Sequence, residues 1–387
     1  MKNGWEIKSL GEVCEIYQPK TISTKEMVAN GKYIVYGANG VIGRYDKYNH
    51  EEPQLLITCR GATCGYVNIS TPKAWITGNA MVVRPKNSSI DLKFIEYLFR
   101  GGLDLSKTIT GAAQPQITRT TLAPLLISYP KSLAEQHRIV KILDEVFEGM
   151  GKAKENAEKN LQNARKLFES YLQSVFANPG DGWEEKKLGT IAKVIGGFSF
   201  KSTDFKKQGR YQVLRMGNVR PGVIRPKESP VFIDDVDGNV LRKALLLPND
   251  VIITQTGTKK KRDYGFTAII DKENYLLNQR IAAIRFSSNF LPKFFLYFSW
   301  TNFFKDQYFA NETGTVGQGN VGISAITDAR VPFPPLAQQQ AIVQKLDALS
   351  AETKKLEAIY KQKLADLDEL KKSVLNKAFN GQLTMDD

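Results

Sequence analysis

The sequence predicts an α+β protein: two β-rich mixed domains separated by two long antiparallel helices that form a coiled coil, with approximate two-fold symmetry. Three observations predict it, namely an internal repeat, short apolar runs broken by glycine or proline, and two long heptad patterns. In the repeat, GWEIKSLG at 4–11 returns as GWEEKKLG at 182–189, and 133–144 returns as 336–347. A repeat of this length indicates that each copy is a domain and not a solenoid unit.

The offset between the two copies rises along the chain, as duplication followed by loop insertions in the second copy would produce. It is 178 at the first repeated segment and 203 at the last. The matching pairs in between are Thr58 with Thr254, Gly61 with Gly257, Asn79 with Asn278, Lys93 with Lys293 and Tyr97 with Tyr297. We therefore expect a first domain at 1–132, a central helix at 133–180, a second domain at 181–335 and a C-terminal helix at 336–387.

Each domain shows a strand pattern interrupted by a helix. Short β-branched and aromatic runs bounded by Gly, Asn or Pro are typical of strands. These runs lie at 33–36, 55–58, 81–83, 251–254 and 281–284. The segments 91–99 and 294–304 carry apolar residues at helical spacing instead. Both domains are therefore expected to be mixed rather than all-β.

The two long helices are predicted from heptad spacing. Apolar or small residues recur every three or four positions from 139 to 175 and again from 342 to 378. Such a seam predicts two helices of about 40 residues, each about 60 Å long at 1.5 Å per residue. Because the first helix leads into the second domain and the second helix returns from it, we expect antiparallel pairing. Gly149 and Gly151 predict a kink or a short break, and Gly381 can cap the second helix.

The charge balance points to a polyanionic partner. The chain carries 54 Lys and Arg against 40 Asp and Glu, which gives a net charge of +14 and a pI near 9.4. Nucleic acid is the commonest such partner, and an acidic membrane surface is the next. No apolar run approaches the roughly 20 residues that span a bilayer, and the N-terminus lacks the apolar core of a signal peptide, so we expect a cytoplasmic protein.

Catalytic and metal-binding motifs are absent from the sequence. It contains no phosphate loop, no His-Glu-x-x-His and no Asn-Pro-Pro-aromatic run of the DNA amino-methyltransferases. Asp181, Glu184 and Lys186 faintly resemble a nuclease cluster, but the first copy lacks the aspartate. We interpret the three cysteines as reduced thiols, with a redox pair of Cys59 and Cys64 as the alternative. We therefore predict no catalytic residue and no metal site.

Polar residues in glycine-containing loops are the candidates for DNA contact, because Lys and Arg suit phosphates while Arg, Asn and Gln suit base edges. In the first copy they are Tyr36, Asn39, Arg44, Arg60, Thr63, Gln114, Gln116 and Arg119. In the second copy they are Arg215, Asn218, Arg220, Thr258, Lys259, Lys260, Lys261, Arg262, Arg280, Gln318 and Asn320. The alternatives are a solvated turn for the lysine run and turn-capping or structural roles for the others. For Asn79 and Asn278 a buried hydrogen-bonding role weighs at least as much as DNA contact.

This arrangement resembles the specificity subunit of type I restriction-modification systems. The resemblance covers the whole chain and rests on Gly-Trp-x-x-x-x-Leu-Gly at the start of each copy and on a proline followed by Leu-Ala-x-Gln before each long helix. Glu135-Gln136 matches the junction of the family better than Gln338-Gln339, where the glutamate is missing.

The resemblance implies that each globular part is a target recognition domain that binds one half of a bipartite double-stranded DNA site. It further implies that the helices set the spacing and dock two methyltransferase subunits, and that the assembly recruits motor and nuclease subunits. S-adenosylmethionine and ATP are then expected on those partners, and no cofactor on this chain. The alternatives are a non-catalytic coiled-coil scaffold with general DNA affinity and an enzyme that acts alone.

Overall fold

A computed structural model describes residues 4–111, 114–315 and 317–383. They fall into two compact units, one of Met1–Lys159 with Tyr360–Asp387 and one of Asn160–Ile359. Each unit combines a globular part with a portion of both long helices. The α+β class is confirmed, and none of the described helices is long and apolar enough to cross a membrane.

The globular part of unit 1 holds nine strands and three short α-helices among its described residues. The strands are β1 (Trp5–Ser9), β2 (Cys14–Tyr17), β3 (Tyr33–Gly37), β4 (Gly40–Tyr45), β5 (Leu55–Thr58), β6 (Val67–Ile69), β7 (Trp75–Ile76), β8 (Ala80–Pro85) and β9 (Leu126–Pro130). The helices are α1 (Leu10–Val13), α2 (Leu92–Tyr97) and α3 (Arg119–Leu122), and the long helix α4 (Leu133–Ala177) follows. The sheets have the orders β2-β8-β5-β6, β4-β3-β7 and β1-β9.

The globular part of unit 2 repeats this plan with additions. The strands are β10 (Glu184–Lys187), β11 (Ala192–Gly196), β12 (Tyr211–Leu214), β13 (Val219–Arg220), β14 (Val223–Ile224), β15 (Phe232–Ile233), β16 (Val251–Thr254), β17 (Thr256–Thr258), β18 (Thr267–Ile269), β19 (Tyr275–Leu277), β20 (Ile281–Phe286), β21 (Gln318–Asn320) and β22 (Arg330–Phe333). The helices are α5 (Leu188–Ile191), α6 (Gly238–Ala244), α7 (Pro292–Ser299), α8 (Asn302–Ala310), α9 (Ile323–Thr327) and the long α10 (Leu336–Phe379). The main sheet, β11-β20-β16-β18, has the same order as β2-β8-β5-β6, which confirms the duplication.

Strand register corrects one of the matches between the copies. Thr58 pairs with Ala80 across β5 and β8, and Thr254 pairs with Ile281 across β16 and β20. Since Thr58 corresponds to Thr254, Ala80 corresponds to Ile281. The residue before β8, Asn79, therefore corresponds to Arg280 and not to Asn278. The offset is 201 here and 200 at the following helix, so it does not rise strictly along the chain.

The predicted helix at 294–304 is two helices in the structure. The helix α7 ends at Ser299, and α8 begins at Asn302. The side chain of Thr301 accepts a hydrogen bond from the backbone N–H of Phe304 at 3.3 Å and so caps α8. Threonine offers the backbone this alternative to a continuous helical ladder, which apolar spacing does not reveal.

The helix α4 runs through Gly149 and Gly151 without interruption, so the predicted break is wrong. Both glycines are exposed, and a Cβ atom on either would meet no neighbour within 4 Å. Each costs about 1 kcal/mol relative to alanine, which the packing of the remaining seam offsets. At the end of α10, Gly381 adopts φ +65° and its N–H and that of Gln382 bond the carbonyls of Ala378 and Lys377. The predicted glycine cap is confirmed.

The long helices pair antiparallel in unit 1. There the ring centre of Phe147 on α4 lies 5.6 Å from Nζ of Lys371 on α10, and Nζ of Lys154 lies 3.3 Å from Oδ1 of Asp368. An increase in number on α4 thus accompanies a decrease on α10. In unit 2 the two helices are also in contact, with Nε of Arg165 on α4 lying 3.2 Å from Oε2 of Glu357 on α10.

The buried stripe of the helices departs from the predicted seam at several positions, including one in the middle of α10. Tyr171, Leu356 and Leu370 are exposed, although the heptad spacing placed them in the seam, whereas Leu172 and Leu375 are buried. The helix ends also pack on the globular parts, where Leu172 and Leu375 join the cores of units 2 and 1. A straight helix of 3.6 residues per turn drifts from a 3.5-residue repeat, so the stripe moves by a residue.

A fully buried glutamine attaches each globular part to its helix in the same way. Gln136 accepts from the N–H of Asp91 at 2.8 Å and donates to the carbonyls of Ser89 at 3.0 Å and Pro130 at 2.8 Å. Gln339 makes the corresponding bonds to Leu291, Asn289 and Pro334 at 2.8, 3.2 and 2.8 Å. The glutamine of the repeated Leu-Ala-x-Gln segment therefore has a structural reason to occur in both copies.

Candidate nucleic-acid interface

In unit 2 a short β-ribbon adjoins the main sheet and presents polar side chains. Strands β17 and β21 pair Thr256 with Asn320 and Thr258 with Gln318. Gln255 joins this ribbon to the turn before β20, because its backbone N–H donates to the carbonyl of Arg280 at 2.9 Å and its side chain donates to the carbonyl of Val321 at 2.9 Å. Gln318 and Asn320 are exposed, whereas Thr256 is buried. The hydroxyl of Thr256 donates to the side-chain oxygen of Asn320 at 2.9 Å, which leaves the carboxamide nitrogen of Asn320 available for a ligand.

The lysine run forms the turn at the end of β17. Lys259, Lys260 and Lys261 are exposed and make no ion pair among the described residues. The carboxylate of Asp263 closes the turn by accepting the backbone N–H of Thr258 at 2.6 Å and its hydroxyl at 3.1 Å. The backbone hydrogen bond from Thr258 lowers the pKa of Asp263, so the carboxylate stays charged and keeps the turn in shape.

Arg262, the last residue of the basic run, differs from the three lysines. It adopts φ +47°, and its guanidinium lies 4.8 Å from the centre of the Phe309 ring. This cation–π contact holds the side chain against the protein. The turn therefore offers three uncommitted ammonium groups in a row, which suit contact with phosphates.

The turn before β20 forms part of the wall of a cleft of about 460 Å³ in unit 2. Its lining includes Arg215, Asn218, Asn278 and Arg280. The carboxamide oxygen of Asn278 is buried and has no hydrogen-bond partner among the described residues. The sequence left a buried hydrogen-bonding role open for Asn278, but its side-chain oxygen does not fill that role.

Unit 1 builds its corresponding surface from the same positions. Arg60 and Gln116 form an isolated bridge, at the place where unit 2 pairs Thr256 with Asn320. The adjoining N–H of Gly61 donates to the carbonyl of Pro115 at 3.0 Å. The bridges of Thr110 with Gln116 and of Thr313 with Asn320 complete the correspondence. Among the exposed candidates of unit 1, Asn39, Arg60, Thr63 and Gln114 lie on loops or turns, and Arg119 lies at the start of α3.

Beyond Thr258, Arg262 and Asn320, whose contacts within the protein are described above, five of the predicted contact residues bond the protein's own backbone, which corrects the predicted set. Arg215 donates to the carbonyl of Ser229 at 2.5 Å. Asn218 is 3% exposed, and its amide donates to the carbonyls of Arg225 at 3.0 Å and Glu228 at 2.7 Å. Tyr36 is 7% exposed and its hydroxyl accepts the N–H of Thr71. Arg44 donates to the carbonyls of Gly31 and Lys32, and Arg220 donates to those of Gly217 and Val219. These side chains hold loops in place and are not free to bind base edges.

The arginines separate into a tied and a free group. Of the sixteen in the chain, thirteen contact a protein carbonyl, carboxylate, amide or aromatic ring. Within the described residues, the three without a side-chain partner are Arg60, Arg119 and Arg280. All three are exposed and belong to the candidate surfaces. A free guanidinium is the group best suited to bidentate binding of phosphate or guanine.

The described residues give little support to thiol, nuclease or metal-binding chemistry. Burial raises the pKa of Cys14 to about 12 and that of Cys59 to about 11, which leaves little reactive thiolate at neutral pH. Lys186 pairs with Glu184 at 2.9 Å and lies 3.9 Å from the Phe333 ring centre, so it is committed to strand contacts. The described residues contain no group of three or more His, Cys, Asp or Glu that could hold a metal ion.

Known proteins resemble the chain over nearly its whole length. The family described as the type I restriction modification DNA specificity domain matches residues 2–160 and 180–365. The MjaVIII specificity subunit of Methanocaldococcus jannaschii is 24% identical and covers 98% of this chain, which spans 93% of that protein. The EcoBI specificity subunit of Escherichia coli is 29% identical over 54% of this chain and 40% of its own length.

Solved structures share the fold. A chain from a structure that concerns complex assembly and conformational transition of the type I R-M system has a TM-score of 0.79 with 17% identity, covering 99% of both chains. The HsdS subunit from Thermoanaerobacter tengcongensis has a TM-score of 0.62 with 18% identity, covering 99% of this chain and 98% of that one. With the family match to both copies, the duplicated fold and the paired polar surfaces, the chain belongs to the type I restriction-modification DNA specificity family.

Proposed function

We propose that this chain is the DNA sequence-specificity subunit of a type I restriction-modification complex and that it recognises an asymmetric bipartite site, one half with each globular domain. The observation that carries the proposal is a repeated frame with unlike side chains. The exposed Arg60 of unit 1 stands where unit 2 has the buried Thr256, and Gln116 stands where unit 2 has the exposed Asn320. Because base contacts carry specificity while backbone contacts position the protein, two such surfaces read two different half-sites.

The lysine turn supplies the sequence-independent part of binding. Three exposed ammonium groups at Lys259–Lys261 suit the phosphate backbone, and the net charge of +14 favours approach to DNA. Each unit then combines groups that hold the duplex with groups that contact base edges. A general scaffold would need the charge but not the two different sets of exposed Arg, Asn and Gln side chains.

In this proposal the chain itself is not a catalyst. Methyl transfer from S-adenosylmethionine belongs to two methyltransferase subunits, and ATP-driven translocation and cleavage belong to restriction subunits. The long helices α4 and α10 connect the two units and serve as the docking region for the methyltransferase subunits. Their length sets the spacer between the half-sites.

Methylation mapping in the host tests this function. Long-read sequencing of the genome with and without the intact gene should show one bipartite motif whose methylation depends on the chain. Purified chain alone should neither bind S-adenosylmethionine nor cleave DNA. A scaffold with general DNA affinity would leave the methylation pattern unchanged when the gene is deleted, and an enzyme that acts alone would show activity without partner subunits.

A further inference from the structure

The residue that immediately precedes β8 in unit 1 corresponds structurally to the residue that immediately precedes β20 in unit 2. In unit 1 this residue is Asn79, which precedes β8, and in unit 2 it is Arg280, which precedes β20. The pairing of Ala80 with Thr58 and of Ile281 with Thr254 fixes the correspondence. The two side chains therefore present different chemistry from the same point of the same frame.

Both side chains are free to bind a ligand. Asn79 and Arg280 are exposed, and neither side chain has a hydrogen-bond or ion-pair partner among the described residues. The backbone around each of them is, in contrast, well held. The N–H of Ala80 donates to the carbonyl of Thr77 at 3.1 Å, and the carbonyl of Arg280 accepts the N–H of Gln255 at 2.9 Å. A free side chain on a fixed backbone is the arrangement that precise recognition requires.

Arg280 is in addition held in an uncommon conformation. Its φ of +70° lies in the left-handed region, which L residues other than Gly, Asn and Asp rarely adopt. No internal contact of the guanidinium compensates for this strain within the described residues. Strained residues of this kind concentrate at functional sites, where the surroundings hold them in place.

The position lies beside the group of side chains already assigned to DNA. In unit 2, Gln255 connects Arg280 to the ribbon of β17 and β21, which carries the exposed Gln318 and Asn320, and Arg280 also lines the cleft. In unit 1, the strand residue that pairs with Ala80 is Thr58, two residues before Arg60. Each side chain thus extends from the sheet next to the other candidate base contacts of its unit.

On the basis of the proposed function, we infer that this position reads one base in each half-site, adenine through Asn79 and guanine through Arg280. The carboxamide of asparagine pairs bidentately with N6 and N7 of adenine, and the guanidinium pairs bidentately with O6 and N7 of guanine in the major groove. The two half-sites then differ at this position because a single residue of a common frame differs.

Exchange of the two residues tests the inference in the complete complex with its methyltransferase subunits. Arg280→Asn and Asn79→Arg are assayed separately by methylation of a DNA library in which both half-sites are randomised. Asparagine tolerates the left-handed backbone better than arginine does, so Arg280→Asn keeps the turn. The matched control is Arg242→Asn, which makes the same chemical change on α6, outside the candidate surface.

The expected result is a change at one position of one half-site. Arg280→Asn should change guanine to adenine in the half-site of unit 2, with about tenfold to hundredfold altered discrimination, the effect of one bidentate pair. Asn79→Arg should change adenine to guanine in the half-site of unit 1. The control should retain the parental motif.

Two outcomes overturn the inference: variants that retain the parental bases, whatever their overall affinity, or variants that alter several positions at once. Thermal unfolding of each variant identifies any loss of folding. Arg280→Gly then serves as the second variant, because glycine adopts the left-handed backbone without strain and its lack of a side chain should abolish the preference for guanine at this one position. Failure of the proposed function is a different result, because the unaltered complex would then methylate the library without any motif.

Discussion

Replacement of Gln136 by methionine should selectively destabilise unit 1. Gln136 is fully buried and makes three hydrogen bonds, to Asp91, Ser89 and Pro130. Methionine has nearly the same shape, so the change leaves no large cavity and removes only the polar contacts. A buried group left without a partner costs about 1–3 kcal/mol. Because the bonds to Asp91 and Ser89 are only partly buried, the one donor and two acceptors together should cost about 3–5 kcal/mol, the lower part of the range for three groups. This is a large share of the roughly 5–15 kcal/mol that stabilises a typical domain.

Hydrogen exchange resolved by mass spectrometry measures this loss separately in the two units. Amides of β5 and β8 should exchange about a hundredfold to several thousandfold faster in Gln136→Met, which corresponds to the same free energy. Amides of β16 and β20 should show the smaller change. Gln339→Met should give the opposite distribution, because Gln339 makes the corresponding bonds in unit 2.

The control for both variants is Gln362→Met, which alters an exposed glutamine on α10 whose side chain donates to the carboxylate of Asp366. It should change protection in neither unit by more than a few tenths of a kcal/mol. A loss below about 1 kcal/mol in Gln136→Met would refute the reasoning, since that is less than one unsatisfied buried group should cost.

Three further predictions concern DNA binding, spacing and pH. Alanine at each of Lys259–Lys261 should weaken binding to all sequences and reduce the salt slope by up to about three, measured by titration at several salt concentrations; loss confined to one base position would argue for direct readout instead. Four residues inserted after Lys159 and four before Tyr360 should lengthen both helices by about 6 Å and widen the methylated spacer by one or two base pairs, and altered half-sites would contradict this. Burial, and to a smaller extent the charge of Arg84, lowers the pKa of His50 in the folded chain below its usual 6.5. The stability that the neutral side chain of His50 contributes is therefore complete above pH 6.5 and is lost as the pH falls through the pKa of the folded state. Thermal unfolding between pH 7 and pH 5 should therefore show a weaker pH dependence in His50→Gln, while the exposed His137→Gln control should behave like the parent chain.

The hydrogen bonds of His50 also show why the sequence could not predict which polar side chains are engaged. Its Nε2 lies 2.8 Å from the hydroxyl of Tyr17, and its Nδ1 lies 2.7 Å from the side-chain oxygen of Asn49. Tyr17 is more than thirty positions away in the sequence, and neither spacing nor composition indicates the contact. The same limitation applies to Asn218 and Tyr36, whose residue types suit DNA but whose polar atoms bond the protein's own backbone.

The register of the two copies gives a second example. A shared asparagine suggested that Asn79 corresponds to Asn278, whereas the strand pairing assigns Asn79 to Arg280. A single identical residue has little weight in a diverged repeat, while each ladder hydrogen bond constrains its neighbours. Asn79 thereby becomes a candidate base contact that the sequence had weighed against a buried role.

By itself, the sequence determined the duplication, the α+β class, the two long helices, their glycine cap and the excess of positive charge, because repeats, heptad spacing and composition are local properties of the chain. Only the tertiary structure decided which polar side chains are free. Hydrogen bonds between segments 35 and 13 positions apart engage Tyr36 and Arg44, and bonds within one folded loop region engage Asn218 and Arg220. The same packing leaves Arg60, Arg119 and Arg280 uncommitted on the surface of the described part of the chain. Burial and partner choice are set by contacts across the fold, which no spacing along the chain encodes.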